Sequence, residues 1–388
     1  MRVLIISSMF PDKDNRCICD IFVKEQVKAL SKYLDEIYVI SPVSVWRRLK
    51  SNVDFRDYSI GDNVRVYFPT YVNFPPKGFL RYLWIKSEVK SILGVIKKEG
   101  LEFNVIHAHY SWPSGAVAVK LKEMFNVPVV ITEHTHITLK QRIKKNDKIL
   151  KWTWKNTDAL IRVNKKDIQL IKDFCPSLRV YHIPNGYNPN RISPIPKDKA
   201  RSKLGLSENE KILFNLAKLY PYKGHKYLIE AMFKVVKYRN DVVCFIGGEG
   251  PLKKELQQQI NQLGLQEHVR LLGFVPDKEL SLWMNAADLF VLPSLSEGNP
   301  TVMFEALGVG LPFVGTAVGG VPEVITSEDY GLLCPPADPE CLAEKILIAL
   351  EKEWDREKIR KYAEQFTWEN IAKKILKVYE TLWGEFDG

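Results

Sequence analysis

Glu297 and Glu305 stand on either side of a predicted helix start, with seven residues between them. Asn299 is expected to be the N-cap and Pro300 the first helical residue, because the missing N–H of proline would be unpaired there anyway. The backbone amides near Thr301 would then be free to bind an anion. Carboxylates accept hydrogen bonds from hydroxyl groups. The stretch therefore suits a ligand with both phosphate and hydroxyl groups, such as a sugar nucleotide.

Two lysines further upstream add positive charge that a phosphate can use. Lys218 and Lys223 flank a proline-marked loop that follows a predicted strand at residues 212–217. A cation fixed beside a leaving phosphate stabilises its growing negative charge. Two solvated surface lysines would look the same in the sequence. The glycine turn around Gly248, after the strand predicted at residues 242–246, is by itself a weak phosphate-loop signal.

Four of the seven histidines fall at the ends of two predicted strands, residues 105–109 and 129–132. Side chains two residues apart on a strand point the same way, so a metal site is one interpretation. It lacks the thiolates and the helical ligand spacing of persuasive zinc sites. The other interpretation is that these strand ends line the crevice where ligands bind in open α/β sheets. The residues concerned are His107, His109, Glu133, His134 and His136.

The elements that must position these residues alternate between strand and helix. Residues 2–7 read as a buried strand, and an amphipathic helix follows at residues 21–30, which is how a doubly wound α/β domain begins. The turn at Pro184 and the proline-rich tract up to Pro196 predict a linker. The strand at residues 212–217 then starts a second α/β domain. A chain of 388 residues is also long for one core and suits two domains.

Bulk composition excludes several classes of protein. No run of 18 uncharged apolar residues exists, so a membrane-spanning helix is not expected. The opening MRVLIISSMF goes straight into a strand pattern and does not read as a signal peptide. The six cysteines are scattered except for Cys17 and Cys19, which cannot complete a metal site without partners. Reduced thiols and a cytoplasmic location are expected.

The net charge of +10 is concentrated in the first half. Residues 1–190 contain 31 lysines and arginines against 18 aspartates and glutamates, whereas residues 191–388 contain 25 against 28. A basic helix with aromatic residues is predicted at residues 80–98, and a dense basic stretch with two tryptophans at residues 140–155. An anionic membrane surface or an anionic acceptor is one explanation, and a solvated helix face is the other. No nucleic-acid motif is present, so nucleic acid is not expected as a partner.

With Gly319-Gly320-Val321-Pro322-Glu323 following the glutamate pair, the chain resembles the retaining glycosyltransferases of family 4. The resemblance implies the GT-B fold, with two Rossmann-like domains facing a central cleft. It places the domains at residues 1–186 and 187–366 and packs residues 367–388 back on the first. It implies transfer from a UDP- or GDP-linked sugar to an acceptor hydroxyl with no metal and no cofactor. Lys218 stands where the family usually has arginine, and Asp20 where it usually has glycine.

The same resemblance assigns roles to individual residues. Near the reacting sugar it implies His109, Glu297 and Lys223 as catalytic residues. For donor binding it implies Lys218, Lys223, Gly248, Phe274, Val275, Asn299, Pro300, Thr301 and Glu305. On the acceptor side it leaves Asp20, Glu133 and His134. The acceptor is expected to be a glycan precursor, a glycolipid or another anionic, membrane-proximal molecule, with the enzyme on the inner face of the membrane.

Three other functions share some of these features. A sugar-nucleotide epimerase has the same fold, a metal hydrolase would use the histidines, and a non-catalytic module would bind nucleotide sugars or an anionic membrane.

Overall fold

The computed structural model describes residues 1–15, 20–51 and 53–387. The Cys17–Cys19 segment therefore lies outside the described residues. The chain folds into two compact units. The first contains Met1–Pro184 and Trp368–Gly388, and the second contains Asn185–Thr367.

The change from the first unit to the second falls before Asn185 and not after Gly186, where the sequence places it. The backbone N–H of Asn185 donates to the side-chain oxygen of Asn299 at 2.8 Å, and its side-chain amide donates to the Asn299 carbonyl at 2.7 Å. Both bonds tie the turn to the second unit.

The first unit is built on a largely parallel sheet with the strand order β10-β9-β8-β7-β1-β2-β5-β4. Only the edge strand β4 runs antiparallel to its neighbour within this sheet as described. A separate parallel pair joins β3 and β6. The strands are β1 Arg2–Ile6, β2 Glu36–Ile40, β3 Val43–Ser44, β4 Tyr58–Ile60, β5 Val64–Tyr67, β6 Thr70–Tyr71, β7 Val105–His109, β8 Val129–Glu133, β9 Ala159–Arg162 and β10 Val180–His182.

Helices cover both faces of this sheet, as parallel strands require. A π-helical turn, Ser111–Gly115, leads from β7 into the fourth helix. The helices are α1 Ile21–Leu30, α2 Val45–Lys50, α3 Leu80–Glu99, α4 Ala116–Phe125, α5 Ile137–Lys144, α6 Lys148–Lys155 and α7 Ile168–Phe174.

The second unit has an all-parallel sheet with the order β13-β12-β11-β14-β15-β16. Its strands are β11 Lys211–Leu216, β12 Val242–Gly247, β13 Val269–Gly273, β14 Leu289–Leu292, β15 Phe313–Thr316 and β16 Gly331–Cys334. Its helices are α8 Lys197–Leu204, α9 His225–Tyr238, α10 Lys253–Gln262, α11 Asp277–Ala286, α12 Thr301–Gly308, α13 Val321–Val324, α14 Pro339–Glu351 and α15 Arg356–Ala363, with 3₁₀ turns at Pro221–Lys223 and Glu364–Phe366.

Each sheet separates two apolar cores, because successive side chains of a strand point to opposite faces. In β1, Val3 and Ile5 belong to one core, and Leu4 and Ile6 belong to the other. The strands therefore read as continuous apolar runs in the sequence, which is why their positions could be predicted. The prediction of two α/β domains with parallel sheets is confirmed.

The last helix, α16 Trp368–Asp387, belongs to the first unit. Trp368, Ile375 and Tyr379 are buried in the same core as Val23 and Val27 of α1. No helix of the described ranges is both long enough and apolar enough to cross a bilayer.

Candidate active site

Lys223 and Glu297 form an ion pair at the carboxyl end of the second sheet. The Lys223 ammonium donates to Glu297 Oε1 at 2.6 Å, and Ser294 Oγ donates to the same oxygen at 2.6 Å. Lys223 ends the 3₁₀ turn after β11, and Glu297 follows the neighbouring strand β14. Because both bonds go to Oε1, no described residue donates to Oε2 of Glu297, which is left to accept a bond from a ligand hydroxyl.

Two glycines allow the loops that carry this pair to approach so closely. Gly224 has φ +69°, and a Cβ there would lie 2.1 Å from the carbonyl oxygen of Pro293. Gly319 has φ +54°, and a Cβ there would lie 1.9 Å from the carbonyl oxygen of Glu297. Gly320 N–H also donates to the Gly298 carbonyl at 2.9 Å. The Gly319-Gly320 turn thus supports the backbone of the glutamate loop, and the helix that follows it is a single turn, α13.

Gly248 brings the β12–α10 loop against the lysine loop. Its φ of +137° and the 1.9 Å that would separate a Cβ from the Ala217 carbonyl oxygen leave room only for glycine. Its N–H donates to the Gly273 carbonyl at 2.7 Å. Lys218 follows Ala217 and is exposed. Gly248 therefore shapes the loop that presents Lys218.

Helix α12 begins one residue later than the sequence predicts, so the assignment of Asn299 as N-cap and Pro300 as first helical residue is wrong. Pro300 occupies the N-cap, with φ −70° and ψ 122°, and Thr301 is the first helical residue. The Asn299 side chain is instead used by Asn185. No side chain caps α12, so the amides at its start remain available to an anion, as the sequence predicts.

Glu305 is buried and ion-paired, which the sequence analysis does not anticipate. Arg191 donates to Glu305 Oε1 and, through Nε, to Asp277 Oδ1 at 2.7 Å. Arg191 lies in the tract read as a linker, and nothing in that tract signals a role at the site. The missed residues of this unit are thus Arg191, Asp277 and Ser294.

Phe274 and Val275, which follow the end of β13, differ in their exposure to solvent. The Phe274 ring is 53% exposed, whereas the Val275 side chain is buried in the core beneath the sheet. Phe274 can therefore meet a ligand through its side chain, and Val275 only through its backbone.

In the first unit, the buried His109 and the half-buried His134 form a pair at the ends of β7 and β8. Their Nδ1 and Nε2 atoms lie 3.0 Å apart, and their rings stack at 5.3 Å. Burial lowers the pKa of His109 well below its ordinary value, with His107 and His134 adding to the effect. Both rings are therefore neutral near pH 7. His109 Nε2 and His134 Nδ1 are buried and have no partner among the described residues.

His107 is a structural histidine, one of the alternatives that the sequence leaves open. Its Nδ1 lies 2.5 Å from the hydroxyl of Tyr379, and its Nε2 lies 2.7 Å from Thr132 Oγ1. Desolvation lowers the pKa of His107 to about 3. It links α16 to the sheet, and both of its ring nitrogens are used within the fold.

Asp20 and Glu133 are both buried, and Asp20 accepts from side-chain hydroxyls whereas Glu133 accepts mainly from backbone N–H groups. Asp20 accepts from Tyr110 at 2.9 Å and from Ser7 at 3.3 Å. Glu133 accepts from the N–H of Ser111 at 2.9 Å and from the Thr135 side chain and N–H at 2.6 and 2.8 Å. The Tyr110 ring also lies 5.2 Å from the ring of His134. Asp20, Tyr110, His134 and His109 therefore form one cluster, of which sequence reasoning missed Tyr110.

The histidines do not assemble a metal site within the part of the chain that is described. No group of three or more His, Cys, Asp or Glu side chains is arranged there to hold an ion. His136 is drawn away from His134, because its Nδ1 contacts Asp167 at 2.8 Å.

The basic stretch at residues 140–155 is divided into α5 and α6 and is partly neutralised. Asp147 caps α6 and pairs with Arg142 at 2.8 Å and with Arg81 at 3.1 Å. Trp154 is buried and donates to Ser111 Oγ at 2.9 Å. The aromatic residues interleaved with the basic ones therefore belong in part to the core and not to a binding surface.

Two α/β units, each built on a largely parallel sheet, are the architecture of a GT-B protein. Two family models match the chain: Glycosyltransferase Family 4 over residues 21–191, and Glycosyl transferases group 1 over residues 196–366. The chain belongs to this family and is a transferase enzyme.

Known proteins resemble the chain over nearly its whole length. It is 28% identical to the putative teichuronic acid biosynthesis glycosyltransferase TuaC of Bacillus subtilis, with 100% of this chain and 95% of TuaC covered. Its fold matches sucrose-phosphate synthase from Thermosynechococcus elongatus with a TM-score of 0.81, at 21% identity and 99% coverage of both chains. It also matches Anabaena HepE in complex with UDP-glucose with a TM-score of 0.75, at 21% identity, covering 98% of this chain and 100% of HepE.

Proposed function

We propose that the chain is a retaining glycosyltransferase that moves a sugar from a UDP- or GDP-linked donor to an acceptor hydroxyl. The observation that carries the proposal is the 2.6 Å contact between Lys223 and Glu297 at the carboxyl end of the second sheet, near the uncapped start of α12. A cation, free amides and a carboxylate are the groups that a diphosphate and a sugar require together.

The leaving group is the nucleoside diphosphate. As the bond from the anomeric carbon to the phosphate oxygen breaks, negative charge grows on the phosphate. Lys218, Lys223 and the amides near Thr301 stabilise that charge through fixed electrostatics. The ammonium of Lys223 has three N–H groups, so it can keep its bond to Glu297 and still donate to a phosphate.

The carboxylates steer the donor. Glu297 accepts a sugar hydroxyl at Oε2, and Glu305 accepts a hydroxyl of the ribose. Phe274 and the backbone of Val275 meet the nucleobase. HepE, solved with UDP-glucose, supports a uridine nucleotide through likeness of fold alone.

The acceptor hydroxyl attacks on the face from which the diphosphate departs, so the anomeric configuration is kept. Its proton passes to the departing phosphate oxygen, and no general base or metal ion is required. His109 contacts the sugar through its backbone or through Nε2, and the neutral ring places no like charge beside an oxocarbenium-like transition state.

The acceptor is a glycan precursor, a glycolipid or another anionic, membrane-proximal molecule. The excess of lysine and arginine in residues 1–190 and the likeness to TuaC support this class. Asp20, Glu133 and His134 shape the acceptor side of the first unit. We place the enzyme in the cytoplasm, at the inner face of the membrane.

The proposal is tested by incubating the full chain with a panel of UDP- and GDP-sugars and measuring nucleotide release, then assigning the anomeric configuration of the product by NMR. Release from at least one donor with retained configuration is expected. An inverted product contradicts the retaining mechanism, and an altered free sugar nucleotide indicates an epimerase. Binding of donors without any turnover indicates a non-catalytic module.

A further inference from the structure

The first unit contains an apolar groove between α3, α4 and α6 that lies apart from the clusters described above. Its volume is 830 Å³, within the roughly 300–1,000 Å³ typical of small-molecule sites. Val89 and Leu93 of α3, Met124 of α4 and Trp152 of α6 line it. The Met124 side chain is 57% exposed, so the lining is open to solvent.

One edge of the groove carries a row of lysines. Lys86, Lys90 and Lys97 line it from α3, and their spacings of four and seven residues place them on one side of the helix. All three are exposed, and none is paired with a carboxylate in the described ranges. Like charges four residues apart destabilise a helix, so this row is not explained by the stability of α3.

The acidic residue that lines the groove, Glu123, is paired with a lysine. Glu123 of α4 accepts two bonds from Lys120, at 2.8 and 2.9 Å. The Lys120 ammonium also lies 4.9 Å from the ring centroid of Trp152. Lys120 thus neutralises the Glu123 carboxylate, and the remaining lysines make the net charge around the apolar lining positive.

Gly94 keeps the groove open in the middle of α3. It is exposed, and a Cβ added to it would meet no atom within 4 Å. A glycine inside a helix lowers helix stability relative to alanine, and here neither a left-handed conformation nor a close contact requires one. Because position 94 has no side chain, the space beside the helix stays open.

We propose that this groove takes a hydrocarbon chain of an anionic phospholipid and that Lys86, Lys90 and Lys97, spread over about 16 Å of α3, contact the phosphates of that lipid and of its neighbours at the membrane surface. From Tyr82 to Lys97 the lining extends for about 22 Å along α3, at the rise of an α-helix. A long apolar channel with a row of cations beside it complements an acyl chain inserted from a surface of anionic headgroups. The inference rests on the membrane-proximal part of the proposed function and names the surface that makes the contact.

The groove itself is tested with Gly94→Phe, which fills the space, and Gly94→Ala as its matched control. Co-sedimentation of the full chain with phosphatidylglycerol vesicles and with phosphatidylcholine vesicles gives the affinity. The wild type and Gly94→Ala are expected to bind phosphatidylglycerol vesicles. Gly94→Phe should bind about tenfold more weakly, a loss of about 1.4 kcal/mol of binding free energy, because its ring occupies the space of the acyl chain. Equal binding by Gly94→Phe overturns the proposal.

The lysine row is tested by replacing Lys86, Lys90 and Lys97 with glutamine. The control replaces Lys144, Lys145 and Lys155, which are exposed lysines of the neighbouring basic stretch. Each lysine close to an anionic surface contributes roughly fivefold in affinity, so the first triple variant should lose roughly a hundredfold and the control much less. Equal losses would show that binding follows overall charge, against the proposal.

A fluorescence measurement locates the chain within the groove. Phosphatidylglycerol with brominated acyl chains quenches tryptophans that touch the chains, so quenching of the wild type should fall when Trp152 is replaced by phenylalanine. Unchanged quenching in Trp152→Phe counts against occupation of the groove. Nucleotide release measured without vesicles should be the same in all these variants. Intact release together with unchanged vesicle binding by the variants, or with no vesicle binding by the wild type, therefore refutes this inference and leaves the glycosyltransferase proposal standing.

Discussion

Arg191 holds Glu305, the second glutamate of the pair, through a hydrogen-bonded ion pair. The same guanidinium bonds Asp277, the first residue of α11, which follows the strand end at Phe274 and Val275. Burial alone would lower the pKa of Arg191, but the two carboxylates outweigh it and raise the pKa. One side chain thus connects the carboxylate proposed for the ribose with the segment proposed for the nucleobase.

Replacing Arg191 with methionine should raise the KM for the donor more than about tenfold and change kcat less. Glu305 would be left buried without its cation, and removing one partner of a buried pair also costs about 3–5 kcal/mol of stability. The donor KM of Arg191→Lys should lie between those of the wild type and Arg191→Met, because lysine keeps the charge but loses the planar fork of the guanidinium. The measurement is donor-dependent nucleotide release together with thermal melting.

Arg239→Met is the control, since Arg239 also joins two carboxylates, Asp241 and Glu351, but on an open surface. It should leave the KM unchanged. A folded Arg191→Met variant with an unchanged donor KM would refute the positioning role.

Gly319→Ala should abolish most of the activity because the new Cβ would meet the Glu297 carbonyl oxygen and displace the glutamate loop. Gly264→Ala is its matched control: Gly264 has φ +66°, and a Cβ there would meet nothing within 4 Å. Both variants carry the left-handed strain of about 1–2 kcal/mol. Gly319→Ala is expected to melt lower than Gly264→Ala, because only its Cβ meets backbone atoms. Nucleotide release, measured on the folded fraction of each variant, should be lost only in Gly319→Ala. Equal activity in the two would contradict the role of this turn.

Glu88 should make stability depend on pH. Desolvation raises its pKa from 4.5 to about 7, against opposing hydrogen bonds from Trp84 and Tyr71. The folded state therefore holds a proton on Glu88 that the unfolded chain releases above pH 4.5. The part of the free energy of unfolding that depends on this proton is fully present below pH 4.5 and is lost as the pH rises to about 7. By linkage it amounts to about 3 kcal/mol.

Glu88→Gln should flatten this pH dependence and melt at a higher temperature than the wild type above pH 7. Melting scans of both proteins between pH 5 and pH 8.5 provide the test. Parallel curves for the two proteins would show that Glu88 is not the group responsible.

The sequence predicts the fold well because the strands are continuous apolar runs bounded by helices and turns. It does not predict β4, since a short edge strand such as Tyr58–Ile60 buries little and leaves no apolar run. The predicted helix start at Asn299 fails by one residue because the Asn299 side chain is bonded by Asn185, more than a hundred positions earlier, and local capping rules do not include such a partner.

The sequence could predict which residue types form the site, but not which of them are in contact. Glu297 and Lys223 could each be singled out by residue type and turn chemistry, whereas their direct contact depends on the adjacency of β11 and β14. Arg191 could not be found at all, because its partners come from two separate helices. The surface expected around residues 140–155 is weakened by Trp154, whose burial follows from packing and not from composition.

Turnover should not depend on a divalent cation, because Lys218, Lys223 and the α12 amides supply the positive potential that the diphosphate needs. The rate of nucleotide release in EDTA should differ from the rate in added magnesium by less than about twofold. Abolition of activity by EDTA, restored by a metal, would require a different mode of leaving-group stabilisation.

The most direct test of the account is the Lys223→Ala/Glu297→Ala double variant, compared with Lys234→Ala/Glu340→Ala, which removes a more exposed ion pair of the same unit. Sugar transfer is measured with the best donor from the panel, on proteins shown to be folded by their melting curves. The account predicts at least a hundredfold loss for the first variant, since single leaving-charge donors contribute about 10²–10³, and little change for the second. Undiminished transfer by the Lys223/Glu297 variant would contradict it.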